Sequence, residues 1–173
     1  MVDPLSVFPG VNVVLFPLLM VVAGAGDALS MRIPNRLIVL VTVWFFPLAI
    51  GAGMPLQVFG MHVATGMVAL LFGFLLFAGR AIGGGDAKLF AAGSLWFGYP
   101  QVFDFLVFTT LAGGVLALAV SGWSVMRWEA DLRGLRQPAP FERITPNVPY
   151  GFAIAAGAIL ASPSGWWMTA TAN

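Results

Sequence analysis

Apolar runs interrupted by short polar punctuation make up most of this chain. The interruptions, such as GAGDALSMRIPN, GAGMP and AGRAIGGGD, combine glycine, proline and the few charged residues. A membrane crossing needs about 20 consecutive apolar residues. On that measure the pattern predicts six spans, at roughly 9–28, 35–52, 60–79, 86–98, 101–122 and 149–168. Pro47 is expected to kink the second, and Pro163 falls near the end of the sixth. The fourth is short for a full crossing. The expected fold is an all-α polytopic membrane protein, with residues 1–173 as a single transmembrane domain.

Composition supports the same solvent. Of 173 residues, 60% are hydrophobic and 9% charged, and the mean hydropathy is +0.93. So few charges cannot cover the surface of a water-soluble domain of this size. Cysteine is absent and His62 is the only histidine. That excludes disulfides, thiol nucleophiles and multi-histidine or Cys-ligated metal sites, and leaves little case for a hydrolase triad. The first residues, MVDPLSVFPG, lack the basic segment of a cleaved signal peptide, so the first apolar run is expected to remain as a span.

The basic residues fix an orientation. Arg32, Arg36, Arg80, Lys88, Arg127, Arg133, Arg136 and Arg143 all lie in or beside the connections 29–34, 80–85 and 123–148. None lies in 53–59 or 99–100. The positive-inside rule then makes the first set cytoplasmic and places both termini outside. The connection 123–148 is the only long polar one. Its first part suits an interfacial helix, and QPAPFERITPNV is too proline-rich to stay helical.

Three carboxylates fall near membrane depth: Asp27, Asp86 and Asp104. In the six-span arrangement Asp27 ends span one and Asp86 opens span four, both on the cytoplasmic side. Asp104 belongs to the opposite end of span five. An ionisable group at a membrane boundary is costly and usually faces a polar cavity. Two carboxylates brought close cannot both ionise easily and can hold one shared proton. Aspartic proteases use this arrangement, with one carboxylate taking a proton from water while its partner protonates the carbonyl. Blander roles are available to each. Asp86 follows Gly83-Gly84-Gly85 and would suit the N-cap of helix four. Asp27 would suit an ion pair with Arg32 or Arg36. The shared depth favours a common site. The three glycines are expected to form an open loop that permits positive φ and the approach of another backbone. A phosphate cradle is disfavoured, since the loop lacks a G-x-x-x-x-G-K-[ST] pattern and an aspartate there repels anions.

In order along the chain, AGAGDALSMRIPNRL, RAIGGGDAKLFAA and ITPNVPYGFAIAAG resemble the signature regions of the type IV prepilin peptidases, membrane aspartyl proteases of the GxGD type. The likeness is closest to the short, peptidase-only members associated with tight-adherence (Flp) pili, and it spans essentially the whole chain. It implies that Asp27 and Asp86 are the catalytic pair. It implies too that the substrate is a prepilin, whose short basic leader is cut at the cytoplasmic face of a bacterial inner membrane. Membrane lipids and further pilus assembly proteins are the other partners it implies; no nucleic acid is expected. The longer relatives carry CxxC pairs and an N-methyltransferase activity. Here those cysteines are missing, so neither zinc, nor any other cofactor, nor methylation is expected.

Further residues are candidates for shaping the site. Pro149, Tyr150 and Gly151 open span six at the depth of the aspartates. Arg32, Pro34 and Asn35 are expected to shape the turn after span one, with Asn35 as N-cap of span two. Lys88 lies two residues past Asp86, so it points away from it on an ideal helix and is expected to snorkel toward a lipid headgroup or meet a substrate acid. The competing class is a small proton- or cation-coupled transporter using the same carboxylates. A transport path needs polar groups at mid-membrane depth, whereas these spans offer mostly Gly, Ala, Ser and Thr. A scaffold without activity does not explain both aspartates.

Overall fold

Every regular element is a helix among the residues that the computed structural model describes, 9–133 and 149–169 in backbone and 14–123 and 149–168 in side chains. In chain order they are α1 (Pro9–Ser30), α2 (Asn35–Gly51), α3 (Leu56–Ala78), α4 (Gly84–Phe97), α5 (Val102–Arg133) and α6 (Tyr150–Ala161). A 3₁₀ turn (Ser162–Ser164) and the short α7 (Trp166–Thr169) follow.

Two expected boundaries are corrected. The helix of span five does not stop near residue 122 but runs unbroken to Arg133. The stretch WSVMRWEADLR contains no proline or glycine, and its Trp, Met, Arg, Glu, Ala and Leu all sustain a helix. The remainder of the expected long loop, 134–148, lies outside the described residues, as do the side chains of Arg127, Arg133, Arg136 and Arg143. Span six is likewise not one helix. It ends at Ala161, where Pro163, lacking an amide hydrogen, converts the chain into a 3₁₀ turn.

The centre of the bundle is α4. Its 14 residues reach only about 21 Å at 1.5 Å per residue, less than the roughly 30 Å hydrocarbon layer. This short helix is shielded by protein, since residues 91–98 are all buried. Around it pack α3 and α2, with α6 and α5 behind, and α6 is also gripped by α1 and α5. Small residues allow the close approaches: Gly73 of α3 lies against Ala87, and Gly24 of α1 against Ala155 of α6. Without a hydrophobic drive between helices in lipid, contacts of this kind hold the bundle together.

At one end, aromatic rings fill the core. Phe16 stacks on Trp96 at 4.7 Å and meets Trp167 edge-on at 4.8 Å, while Phe97 stacks on Phe105 at 4.9 Å. The Trp96 indole N–H donates to the Val41 carbonyl at 2.8 Å, and that of Trp166 to the Trp96 carbonyl at 3.0 Å. His62, buried in this region, bonds the Leu95 carbonyl through Nδ1 at 2.8 Å. Its ring lies where a Cβ on Gly98 would stand, and that glycine has φ +63° in the turn between α4 and α5. The histidine thus finishes the C-terminus of α4 and stands far from both candidate carboxylates.

The outside is apolar. Met67, Val68, Phe72 and Leu75 on α3, and Leu111, Val115 and Leu118 on α5, are each more than half exposed. A continuous belt of this kind marks a surface that water does not wet. Two helical stretches, Leu56–Ala78 and Val102–Trp123, are long and apolar enough to cross a membrane.

Candidate active site

The end opposite the aromatic core is built from the C-terminus of α1 and the N-termini of α2, α4 and α6. Asp27 lies in the last turn of α1. The helix stops just beyond it: Met31 takes a left-handed φ of 52°, its amide still bonding the Asp27 carbonyl at 2.7 Å. The Ser30 hydroxyl turns back onto the Gly26 carbonyl at 2.7 Å. Residues 32–34 are then neither helix nor strand, and Pro34, fixed in an extended conformation, caps α2. Asn35 is therefore not the N-cap that the sequence suggested. It is the first helical residue, and its Oδ1 accepts a 3.2 Å hydrogen bond from Lys88 Nζ.

Asp86 is not an N-cap either. The cap is Gly83, and Asp86 is the third residue of α4. From there its carboxylate turns back toward the amide of Gly83, as an acidic residue does at this position. The glycines accordingly form no open loop: Gly84 and Gly85 belong to the first turn of the helix, and none of the three has positive φ. Space explains them better. A Cβ on Gly83 would come within 2.7 Å of Asp86 Oδ2, and one on Gly84 within 3.2 Å of the Phe77 ring.

Asp27 is 6% exposed, and its partner is neither Arg32 nor Arg36. Its Oδ2 instead accepts a 2.8 Å hydrogen bond from the amide of Gly151. Gly151 is the second residue of α6, so this amide is one of the free donors at a helix N-terminus. A side chain from elsewhere in the chain thereby caps α6. The same amide faces the carboxylate of Asp86, and the two aspartates are close enough for each charge to act on the other. A Cβ on Gly151 would meet Asp27 Oδ2 at 2.8 Å and Ile33 Cδ1 at 2.7 Å. A buried carboxylate, Asp27, and a half-buried one, Asp86, thus converge on one amide, each at the positive end of a helix.

They look into a cavity of about 560 Å³, lined by Asp27 with residues 30–35 and 83–86. Arg32, Pro34, Asn35, Gly83, Gly84 and Gly85 all belong to its wall, and Gly151 closes it behind Asp27. Lys88 does not line it and reaches only its rim through Asn35. Tyr150 faces a second, apolar cavity of about 230 Å³ that also touches Asp86. Pro149 is the N-cap of α6. Asp104, exposed in the first turn of α5, stays at the other end. The sequence reading passed over Ile33, which wedges between Gly85 and Gly151. It is the lone apolar side chain in RIPN, and that was the available signal.

Residues 14–118, well over half of the chain, match the family described as the type IV leader peptidase family. The chain belongs to that family. No curated protein matches it, and no solved structure does. It is thus a peptidase of a membrane-embedded family, consistent with its apolar belt. Asp27, the RIPN connection and Asp86 all fall inside the matched stretch. Gly151, which the sequence reading placed among the site-shaping candidates, lies outside it; what three dimensions add is the bond from its amide to Asp27.

Proposed function

We propose that the chain is an aspartyl endopeptidase that removes the short basic leader of prepilins, using Asp27, Asp86 and one water. The observation that carries this reading is the convergence of both carboxylates on the Gly151 amide at the wall of one shared cavity. In this reading Asp27, which accepts that amide's hydrogen bond, is the base, and Asp86 is the acid. Water between them gives its proton to Asp27 as its oxygen attacks the scissile carbonyl, and Asp86 protonates the carbonyl oxygen. Collapse of the tetrahedral intermediate returns the hydroxyl proton to Asp86, while Asp27 passes its proton to the departing amine. No metal or thiol takes part.

The substrate must lie extended to be attacked. Residues 32–34 offer it a partner, because the amides of Arg32 and Ile33 make no hydrogen bond among the described residues. Pairing of an extended leader with this segment supplies main-chain hydrogen bonds beside the carboxylates. In the membrane we place six spans with both termini outside and the carboxylates at the cytoplasmic face of a bacterial inner membrane, a reading that the distribution of basic residues supports. The substrates are Flp-like prepilins, and methylation of the trimmed pilin is left to another protein.

Membranes containing the chain and a candidate prepilin, analysed by gel shift and N-terminal sequencing, test the proposal. Cleavage before the hydrophobic helix is expected, together with its loss in Asp27→Asn and in Asp86→Asn. Full cleavage by either folded, inserted variant would sink the mechanism.

A further inference from the structure

Beside the carboxylates, α2 and α3 each pack on α4, and they meet one another chiefly through ring contacts of Phe45 and Phe46 at the aromatic end. The gap between them is a groove of about 280 Å³ on the lipid-facing side of the bundle. Ala91 and Ala92 form its floor, Ile38 one wall, and Met67 and Leu70 the other. Thr42 also lines it, but its hydroxyl is turned onto the Ile38 carbonyl at 2.9 Å, which leaves the interior without a free polar group. At the far end Phe46 closes it, packed edge-on against Phe59 at 5.9 Å. Lys88 stands at the near end, on the carboxylate side of the bundle. From Lys88 to Leu95 the groove follows seven residues of α4, about 10 Å of helix.

The ammonium of Lys88 is exposed and spends one of its three donors on Asn35. Among the described residues no carboxylate pairs with it. A cation at membrane-boundary depth, continuous with an apolar groove that ends at Phe46, is complementary to a molecule with an anionic head and a hydrocarbon tail.

We propose that this groove is a binding site for an anionic phospholipid, with the headgroup phosphate on Lys88 and one acyl chain lying over Ala91 and Ala92. The bound lipid bridges α2 and α3 where they fail to meet. Through the Lys88–Asn35 hydrogen bond it also holds the first residue of α2, which lines the carboxylate cavity. The site stands whether or not the carboxylates cleave prepilins.

Protein reconstituted in equal phosphatidylglycerol and phosphatidylcholine, then released into mild detergent for native mass spectrometry, tests it. Wild type is expected to retain phosphatidylglycerol about fivefold over phosphatidylcholine, the factor one near-surface lysine supplies. Lys88→Gln should retain the two equally and Lys88→Arg should restore the preference. Ala91→Leu, which fills the floor, should retain neither. Equal retention by wild type, or a preference that survives Lys88→Gln, overturns the proposal. The chain has no native cysteine, so Met67→Cys reports on protein in the groove. A disulfide-linked dimer of that variant in the same membranes would likewise overturn it.

Discussion

The amide of Gly151 donates a 2.8 Å hydrogen bond to Oδ2 of Asp27 across 124 residues of chain. One contact therefore does two jobs: it caps α6 and it holds a carboxylate at the wall of the cavity.

At Gly151 there is no room for a side chain, since a Cβ would meet Asp27 Oδ2 at 2.8 Å and the Asp27 Cβ at 2.9 Å. Gly151→Ala should lower prepilin cleavage by about two orders of magnitude, because misplacement of about 1 Å costs that much. Gly114→Ala in α5, where a Cβ meets nothing within 4 Å, is the matched control. It should leave cleavage unchanged and raise stability by about 0.5–1 kcal/mol. Initial rates in membranes and thermal unfolding in detergent check the pair.

Substitutions of Asp27 should divide activity from stability. Asparagine keeps an oxygen to accept the Gly151 amide, so Asp27→Asn is expected to stay within about 0.5 kcal/mol of wild type while losing cleavage. Asp27→Ala leaves α6 uncapped and should cost a further 0.5–2 kcal/mol, roughly. Denaturant titration of the two proteins, alongside the cleavage assay, measures the difference. Equal stability of the two variants would remove the capping role.

His62 bonds the Leu95 carbonyl at the end away from the aspartates. His62→Leu should therefore lower stability by about 1–3 kcal/mol through an orphaned buried carbonyl, with cleavage per folded molecule unchanged. A specific-activity measurement on protein freed of aggregate decides this. A loss of cleavage larger than the loss of folded protein would bring the histidine into the chemistry.

Trp96 anchors the aromatic end through its rings and through the 2.8 Å bond from Nε1 to the Val41 carbonyl. Trp96→Phe keeps much of the stacking and loses only the indole hydrogen bond, since the Val41 carbonyl stays paired within α2, at a cost of about 0.5–1.5 kcal/mol. Trp96→Ala should cost about 3–5 kcal/mol. Melting temperatures in one detergent rank the three proteins.

The helices were legible because their apolar runs are long and their breaks carry glycine, proline and charge. Where the structure departs from the sequence reading, a local rule had alternatives of nearly equal standing. Nothing between Gly122 and Arg133 distinguishes a helix that continues from an interfacial helix that starts afresh. Asn35 and Asp86 both satisfy capping preferences, yet Pro34 and Gly83 take the cap positions and free the polar side chains for Lys88 and the cavity. The glycines were read for their backbone freedom, whereas what matters is the volume they leave empty. A common depth for Asp27 and Asp86 followed from counting spans. The amide that both face did not, because a main-chain donor from a helix over a hundred residues away has no signature in side-chain type.

The capping of α6 by Asp27 also bears on when the site comes into being during synthesis. A nascent chain that has emerged only as far as α5 already contains both carboxylates, the RIPN segment and the glycines before Asp86. It lacks the amide on which the carboxylates converge, and Asp27 has no partner until Gly151 is in place. The cavity wall is thus completed last, when α6 docks, and on the proposed mechanism an unfinished chain in the membrane is an unarmed one.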